Sequence, residues 1–248
     1  MARQSKQGWA TQDPAIPVLL TRPEAQSRAF AAALKARFGD RLWPVITPLM
    51  APVFLTPALP PGPFAAVIFT SATGVEAATG LDLPLRAFCV GAQTAARARK
   101  AGFQAVSADG DAASLVAAIL ADPPPGRMLH LRGEDVRGDV VKLLVSAGLD
   151  TVSAVVYRQD QQPLTNEARA ILAAAGPVIV PVFSPRTGAI LLQALPEDMR
   201  ATLRLAAMSQ AVAEAVEGVA GTVAIARRPD ADAMLDAVAE LVEMRPAP

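Results

Sequence analysis

Tyr157 is the only tyrosine of the chain, and it closes an apolar run, TVSAVVY, residues 151–157. A phenol at the end of a strand can donate a proton or a hydrogen bond to a ligand. It also suits the rim of a sheet, with its ring on apolar neighbours and its hydroxyl in water. Two further stretches offer small polar groups where an apolar run turns helical. VIFTSATGVEA (67–77) and PVFSPRTGAIL (181–191) match at a constant offset of 114: Phe69 with Phe183, Thr70 with Ser184, Thr73 with Thr187 and Gly74 with Gly188. Four strand-to-helix joints of this kind occur: Thr70-Ser71-Ala72, Gly91-Ala92-Gln93-Thr94, Ser184-Pro185-Arg186 and Ser209-Gln210-Ala211. Helix starts carry free N–H groups and partial positive charge, which suits carboxylates. Serine and threonine are also good N-caps with no ligand at all. Arg22, Arg132 and Arg186 follow strand ends too, either to pair with carboxylates or to be solvated.

Other chemistries lack their residues. One cysteine, Cys89, and one histidine, His130, leave no disulfide framework and no Cys/His metal site. Both lie inside apolar runs, AFCVG and MLHLR, and read as buried structural residues. Asp109 and Asp111 flank Gly110 ahead of a helical pattern and read as a turn plus N-cap. The chain contains no G-x-G-x-x-G, G-x-x-x-x-G-K-[ST], H-E-x-x-H or G-x-S-x-G. Its 23 basic and 23 acidic residues balance, so nothing argues for nucleic acid or an anionic membrane surface. No apolar run approaches the roughly 20 residues of a membrane span. MARQSKQGWATQDPA has no apolar core, reads as a disordered start over 1–15, and makes the cytoplasm the expected compartment.

The elements that must position these residues follow from hydrophobic periodicity. Strands are expected at 17–20, 65–70, 86–90, 127–131, 151–157, 177–183, 204–208 and 222–226. Helices are expected at 23–38, 72–79, 93–101, 111–121, 135–147, 165–175, 186–194, 210–218 and 230–243. Continuous apolar strands alternating with helices argue an α/β fold with parallel sheets buried on both faces. Gly102, Gly148 and Gly218 stand where helix C-caps are needed. The repeat extends beyond the two turns. Residues 19–40 parallel 130–150, with Arg22 on Arg132; residues 87–103 parallel 206–221, and 108–120 parallel 228–241. One α/β unit is therefore duplicated; a plain tandem would divide at DPPPG (122–126), but Pro-rich loops also occur inside α/β domains, and composition does not choose between the two.

VLLTRPEAQS, VIFTSATGVEA, FCVGAQTAARARKAG, the LRG…LVSAGLDTVSAVVY segment and VFSPRTGAI, in this order, resemble the uroporphyrinogen-III synthase family over residues 16–243. The resemblance implies two flavodoxin-like parallel-sheet domains joined by a two-stranded hinge. One would be discontinuous, 16–48 plus 160–248; the other would span 52–156, which overrides a split at DPPPG. It implies a hydro-lyase that closes hydroxymethylbilane, a linear polycarboxylate tetrapyrrole, to uroporphyrinogen III with inversion of ring D through a spiro intermediate and loss of water. The product feeds haem, sirohaem and cobalamin. No cofactor and no metal are implied, and a monomer is expected; transient contact with hydroxymethylbilane synthase stays open.

By the same resemblance Tyr157 is the candidate catalytic acid. Arg22, Thr70, Ser71, Ala72, Gly91, Thr94, Arg132, Ser184, Arg186, Ser209, Gln210 and Ala211 are candidates for binding substrate in a cleft between the domains. One loop departs from the family pattern: where G-x-T-T-A is frequent, this chain has Ser209-Gln210-Ala211-Val212-Ala213. The rival readings are a non-catalytic two-domain protein that closes on a small anion, and a duplicate that only regulates tetrapyrrole synthesis.

Overall fold

Strands built from unbroken Val, Ile, Leu and Ala need cover on both faces, and amphipathic helices supply it. The computed structural model describes residues 14–135, 138–219 and 221–244. The expected disordered start lies outside these residues except for its last two. In chain order the elements begin β1 (Ile16–Leu20), α1 (Glu24–Phe38), β2 (Leu42–Ile46), β3 (Met50–Phe54), β4 (Ala66–Phe69), α2 (Ala72–Ala77), β5 (Arg86–Cys89), α3 (Ala92–Lys100), β6 (Gln104–Ser107) and α4 (Ala112–Ala121). They continue β7 (Met128–Gly133), α5 (Val140–Ser146), β8 (Thr151–Gln161), α6 (Asn166–Ala173), β9 (Gly176–Val182), α7 (Pro185–Ala194), β10 (Ala201–Ala207), α8 (Gln210–Ala215), β11 (Thr222–Ile225) and α9 (Ala231–Glu243).

The chain forms two compact units, one holding the residues up to Ala51 and those from Gln161 onward, the other Pro52–Asp160. The DPPPG stretch falls inside the second unit, as the loop from α4 to β7.

The first unit is built on a sheet of order β11-β10-β9-β1-β2, all parallel. Alternate residues of each strand feed opposite faces. Leu19, Val178, Val180, Leu203 and Leu205 pack into one core. Val18, Leu20, Ile179 and Ala206 pack into the other, against Phe30, Leu34, Met234 and Val238 of α1 and α9. The ladder between β1 and β9 is reduced to the pair Val18–Ile179. Ile179 is flanked by Pro177 and Pro181, neither of which has an N–H to donate.

The second unit has the order β3-β8-β7-β4-β5-β6. Strands β4 to β8 are mutually parallel. Val67, Phe69, Leu129 and Leu131 fill one face, and Ala66, Ile68, Phe88 and Met128 the other. If β3 is set aside, β8-β7-β4-β5-β6 repeats the order β2-β1-β9-β10-β11 of the first unit. The copies differ in where the chain enters. In the second unit the strand pair equivalent to β1 and β2 comes last in sequence.

The repeated glycines answer to packing. A Cβ on Gly74 would stand 3.0 Å from the Leu131 carbonyl, and one on Gly188 would stand 2.8 Å from Val216 Cγ1. Each lets the helix after an FTS-like turn lie close to its neighbour. Gly102, Gly148 and Gly218 follow helix ends at φ of 96°, 84° and 87°, the left-handed conformation of a C-cap.

Candidate functional site

An open parallel sheet binds ligands at the carboxyl ends of its strands, where the strand order reverses. In the second unit that point lies between β7 and β4: β7 leads outward to β8, and β4 leads the other way to β5. Thr70 and Ser71 follow β4 directly. Ser71 has an extended backbone and caps α2, its Oγ accepting the Gly74 N–H at 3.0 Å.

Tyr157 reaches this joint from β8 because of a bulge. The β7–β8 register runs one-to-one from Met128–Thr151 to Arg132–Val155 and then skips to Gly133–Tyr157. The extra residue turns Tyr157 over Gly133, as bulges re-aim side chains beside sites. A Cβ at Gly133 would stand 2.7 Å from Tyr157 Cζ, so only glycine leaves room for the ring. Tyr157 Oη and Ser71 Oγ are 2.9 Å apart, and either can be the donor.

Beside this pair, His130 of β7 stands opposite Ile68 and places Nε2 3.2 Å from Thr70 Oγ1. His130 is 3% exposed, and its Nδ1 is buried with no partner among the described residues. Burial, helped by the nearby Arg132 charge and opposed by Asp139, pulls the imidazole down to about 4. It is therefore neutral at physiological pH. Thr70, Ser71, His130, Gly133 and Tyr157 line a cavity of about 270 Å³ together with Asp135, Gly138 and Val140.

The other expected residues of this unit lie near the same end of the sheet. Gly91 is the N-cap of α3 with an extended backbone, and Thr94 is buried in that helix's first turn. Ala72 opens α2 and is exposed. Arg132 is turned toward main chain: Nη1 donates to the Gly133 and Glu134 carbonyls at 3.0 and 3.2 Å, and Nε to Ser153 Oγ at 3.4 Å. It does not line the cavity.

In the first unit the order reverses between β1 and β9, the equivalent place. There the Arg22 guanidinium lies 4.2 Å from the centroid of the Phe183 ring. Phe183 in turn meets Phe30 edge-on at 5.2 Å. Burial lowers the pKa of Arg22, yet a guanidinium stays charged. Ser184 caps α7, its Oγ accepting the Thr187 N–H at 3.2 Å and lying 2.9 Å from Thr187 Oγ1. Arg186 is exposed in the first turn of α7. Ser209 caps α8 without a side-chain hydrogen bond to the helix. Gln210 donates to Glu214 at 3.2 Å, and Ala211 is exposed.

Three contacts do not stand out in the sequence: Gly133 under the tyrosine, Phe183 under Arg22, and His130 beside Thr70. A signal for the last exists. In the duplicated unit His130 aligns with Leu20, a polar departure in an otherwise apolar strand. Two further titratable groups singled out in the sequence have structural places. Cys89 is buried, which pushes its thiol up to about 11. Asp111 caps α4 by accepting the Ser114 N–H at 3.0 Å, and that bond lowers its pKa. Among the described residues no group of three His, Cys, Asp or Glu could hold a metal ion, and no helix is long and apolar enough to cross a membrane.

Among curated proteins none matches this chain. The solved uroporphyrinogen-III synthetase of Helicobacter pylori is 17% identical with a TM-score of 0.58, covering 91% of this chain and 99% of that one. A mutant uroporphyrinogen III synthase of Thermus thermophilus is 17% identical with a TM-score of 0.44, over 92% of this chain and 99% of that one. The first likeness shows the two-domain α/β fold. The model of the family described as Uroporphyrinogen-III synthase HemD matches residues 28–236. A match of that extent places the sequence: this chain belongs to the uroporphyrinogen-III synthase family, hydro-lyases of tetrapyrrole biosynthesis.

Proposed function

We propose that this chain closes hydroxymethylbilane to uroporphyrinogen III, with Tyr157 as the proton donor to the departing hydroxyl. The observation that carries the reading is the position of the one phenol. It stands at the sheet's strand-order reversal, over Gly133, hydrogen-bonded to Ser71 and lining a cavity.

Loss of hydroxide from a carbon attached to an electron-rich pyrrole needs little more than one acid. The Tyr157 proton passes to the hydroxyl, the C–O bond breaks and water leaves. The electron-poor carbon so formed is attacked by the substituted carbon of ring D, giving a spiro intermediate. Reopening and reclosure invert ring D, and the proton finally lost from the new bond restores the phenol. Selectivity between the two closures is a positioning task. Thr70, Ser71, Gly91 and Thr94 supply hydroxyl and N–H donors for substrate carboxylates in the second unit. Arg22, held on Phe183, supplies a charged donor in the first. Ser184, Arg186 and the Ser209-Gln210-Ala211 joint are proposed for the same role there, and Ala72 contributes its backbone. In this reading Arg132 acts through the main chain it braces.

The test uses hydroxymethylbilane generated by hydroxymethylbilane synthase, with products oxidised and separated by chromatography. Type III uroporphyrin as the main product is expected. Type I alone, as in uncatalysed closure, would overturn the reading in favour of a polycarboxylate-binding protein.

A further inference from the structure

We propose that His130 is a positioning residue whose Nε2–H donates to Thr70 Oγ1 and thereby commits the Thr70 hydroxyl to donate outward, to a carboxylate of the substrate. The proposal deepens the functional reading and rests on it for the identity of the acceptor.

The argument starts from hydrogen-bond accounting. His130 has one partner for its two ring nitrogens: Nε2 meets Thr70 Oγ1 at 3.2 Å, and Nδ1 is buried with none. The ring is neutral, so one nitrogen carries a proton and the other a lone pair. With the proton on Nδ1, a buried N–H would go unpaired. With it on Nε2, only a lone pair does. Orphaned buried N–H groups are the rarer case in proteins. The Nε2–H form is therefore favoured, and it donates to Thr70.

Thr70 has one hydroxyl proton. Because its oxygen accepts from the imidazole, that proton points elsewhere, and the described residues offer it no other partner. Thr70 lines the cavity, so the proton is available to an acceptor there. The neighbouring hydroxyl has the same polarity. Ser71 Oγ accepts the Gly74 N–H, so its own proton can go to Tyr157 Oη, leaving the phenol proton free to be given away. Two donors anchored in the framework, one imidazole N–H and one backbone N–H, thus turn a line of hydroxyls into donors. Such a line of donors fits a carboxylate. His130 does not touch the ligand in this arrangement.

The test has two arms. The first needs only the ¹⁵N-labelled wild-type protein. Long-range ¹H–¹⁵N correlation of its sole histidine reports which nitrogen is protonated. Nε2–H is expected, and Nδ1–H would overturn the proposal. The second arm is kinetic, with freshly made hydroxymethylbilane. His130→Leu should raise KM about 10-fold, the loss expected for one hydrogen bond to a charged group, while kcat falls less than about 3-fold. Thr70→Val should do the same, and the double variant should be little worse than either. His130→Gln, which puts an amide N–H near the Nε2 position, should recover most of the loss. Equal damage from Gln and Leu, additivity in the double variant, or an unchanged KM in Thr70→Val would each overturn it. Should His130→Leu fail to fold, the tautomer and Thr70→Val still decide. If the wild type gives only type I product, the functional reading fails while the tautomer still judges the hydrogen bond.

Discussion

Tyr157 and Ser71 set the terms at the scale of single residues. If the phenol is the acid, Tyr157→Phe removes one proton and keeps the ring over Gly133. Turnover should fall about 100-fold, the usual size of a general-acid contribution, with product affinity changed far less. Single-turnover rates and product titration separate the two, and an unchanged rate would take the role from Tyr157. His130 gives a second prediction, in stability. Its folded-state pKa is lowered from 6.5 to about 4. The unfolded chain therefore binds a proton before the native one does as pH falls. Stability from this source is complete above pH 6.5 and is lost between about 6.5 and 4, by about 3 kcal/mol at about 1.4 per unit. Urea melts at pH 7 and 4.5 should show a smaller acid loss in His130→Gln than in the wild type. An equal loss would mean that the imidazole titrates normally.

At the scale of elements, the strand pair β7–β8 carries the proposed site through its bulge. Gly133→Ala puts a methyl 2.7 Å from Tyr157 Cζ, so ring or strand must move. The expected cost is about 1–3 kcal/mol of stability, with a loss of turnover approaching that of Tyr157→Phe. Thermal unfolding and the rate assay check it together. A cap remote from the site should behave otherwise. Asp230 accepts the Ala233 N–H at 2.8 Å at the start of α9. Asp230→Ala should cost about 1 kcal/mol and leave turnover alone.

The elements also show what the sequence could reveal. Interior strands such as AVIF and TVSAVVY declare themselves by continuous apolar runs. The three strands that periodicity does not predict, β2, β3 and β6, all lie at sheet edges. There one side is open, runs are short, and a proline such as Pro44 is tolerated. Within the site, Tyr157, Thr70 and Ser71 are legible because they end runs. The His130–Thr70 contact is not, because it depends on the register that sets His130 against Ile68. The Tyr157–Gly133 contact hangs on a one-residue bulge that no periodicity announces.

At the scale of the whole molecule, the duplicated unit is laid out in two ways. The second unit is one continuous stretch, Pro52–Asp160, with its own two-faced core. Expressed alone it should unfold cooperatively, as an independent domain does. A peptide of residues 14–51 alone should not. Circular dichroism melts of both decide, and a non-cooperative Pro52–Asp160 fragment would count against separate cores.

The pairing of β1 with β9 has a consequence during synthesis. Leu20 leaves the ribosome about 160 residues before the whole of β9 exists. At about 5–20 residues per second the wait is roughly 8–30 s. Through that interval Val18, Leu19 and Leu20, enclosed in the finished protein, have only the edge strand β2 to pair with and lack the rest of their sheet. The later-encoded unit is complete while the N-terminal strand still waits, so assembly runs from the middle of the message outward. The nascent chain thus carries an adhesive apolar strand through the synthesis of about 160 further residues, and this is the interval in which a chaperone at the tunnel exit would matter most.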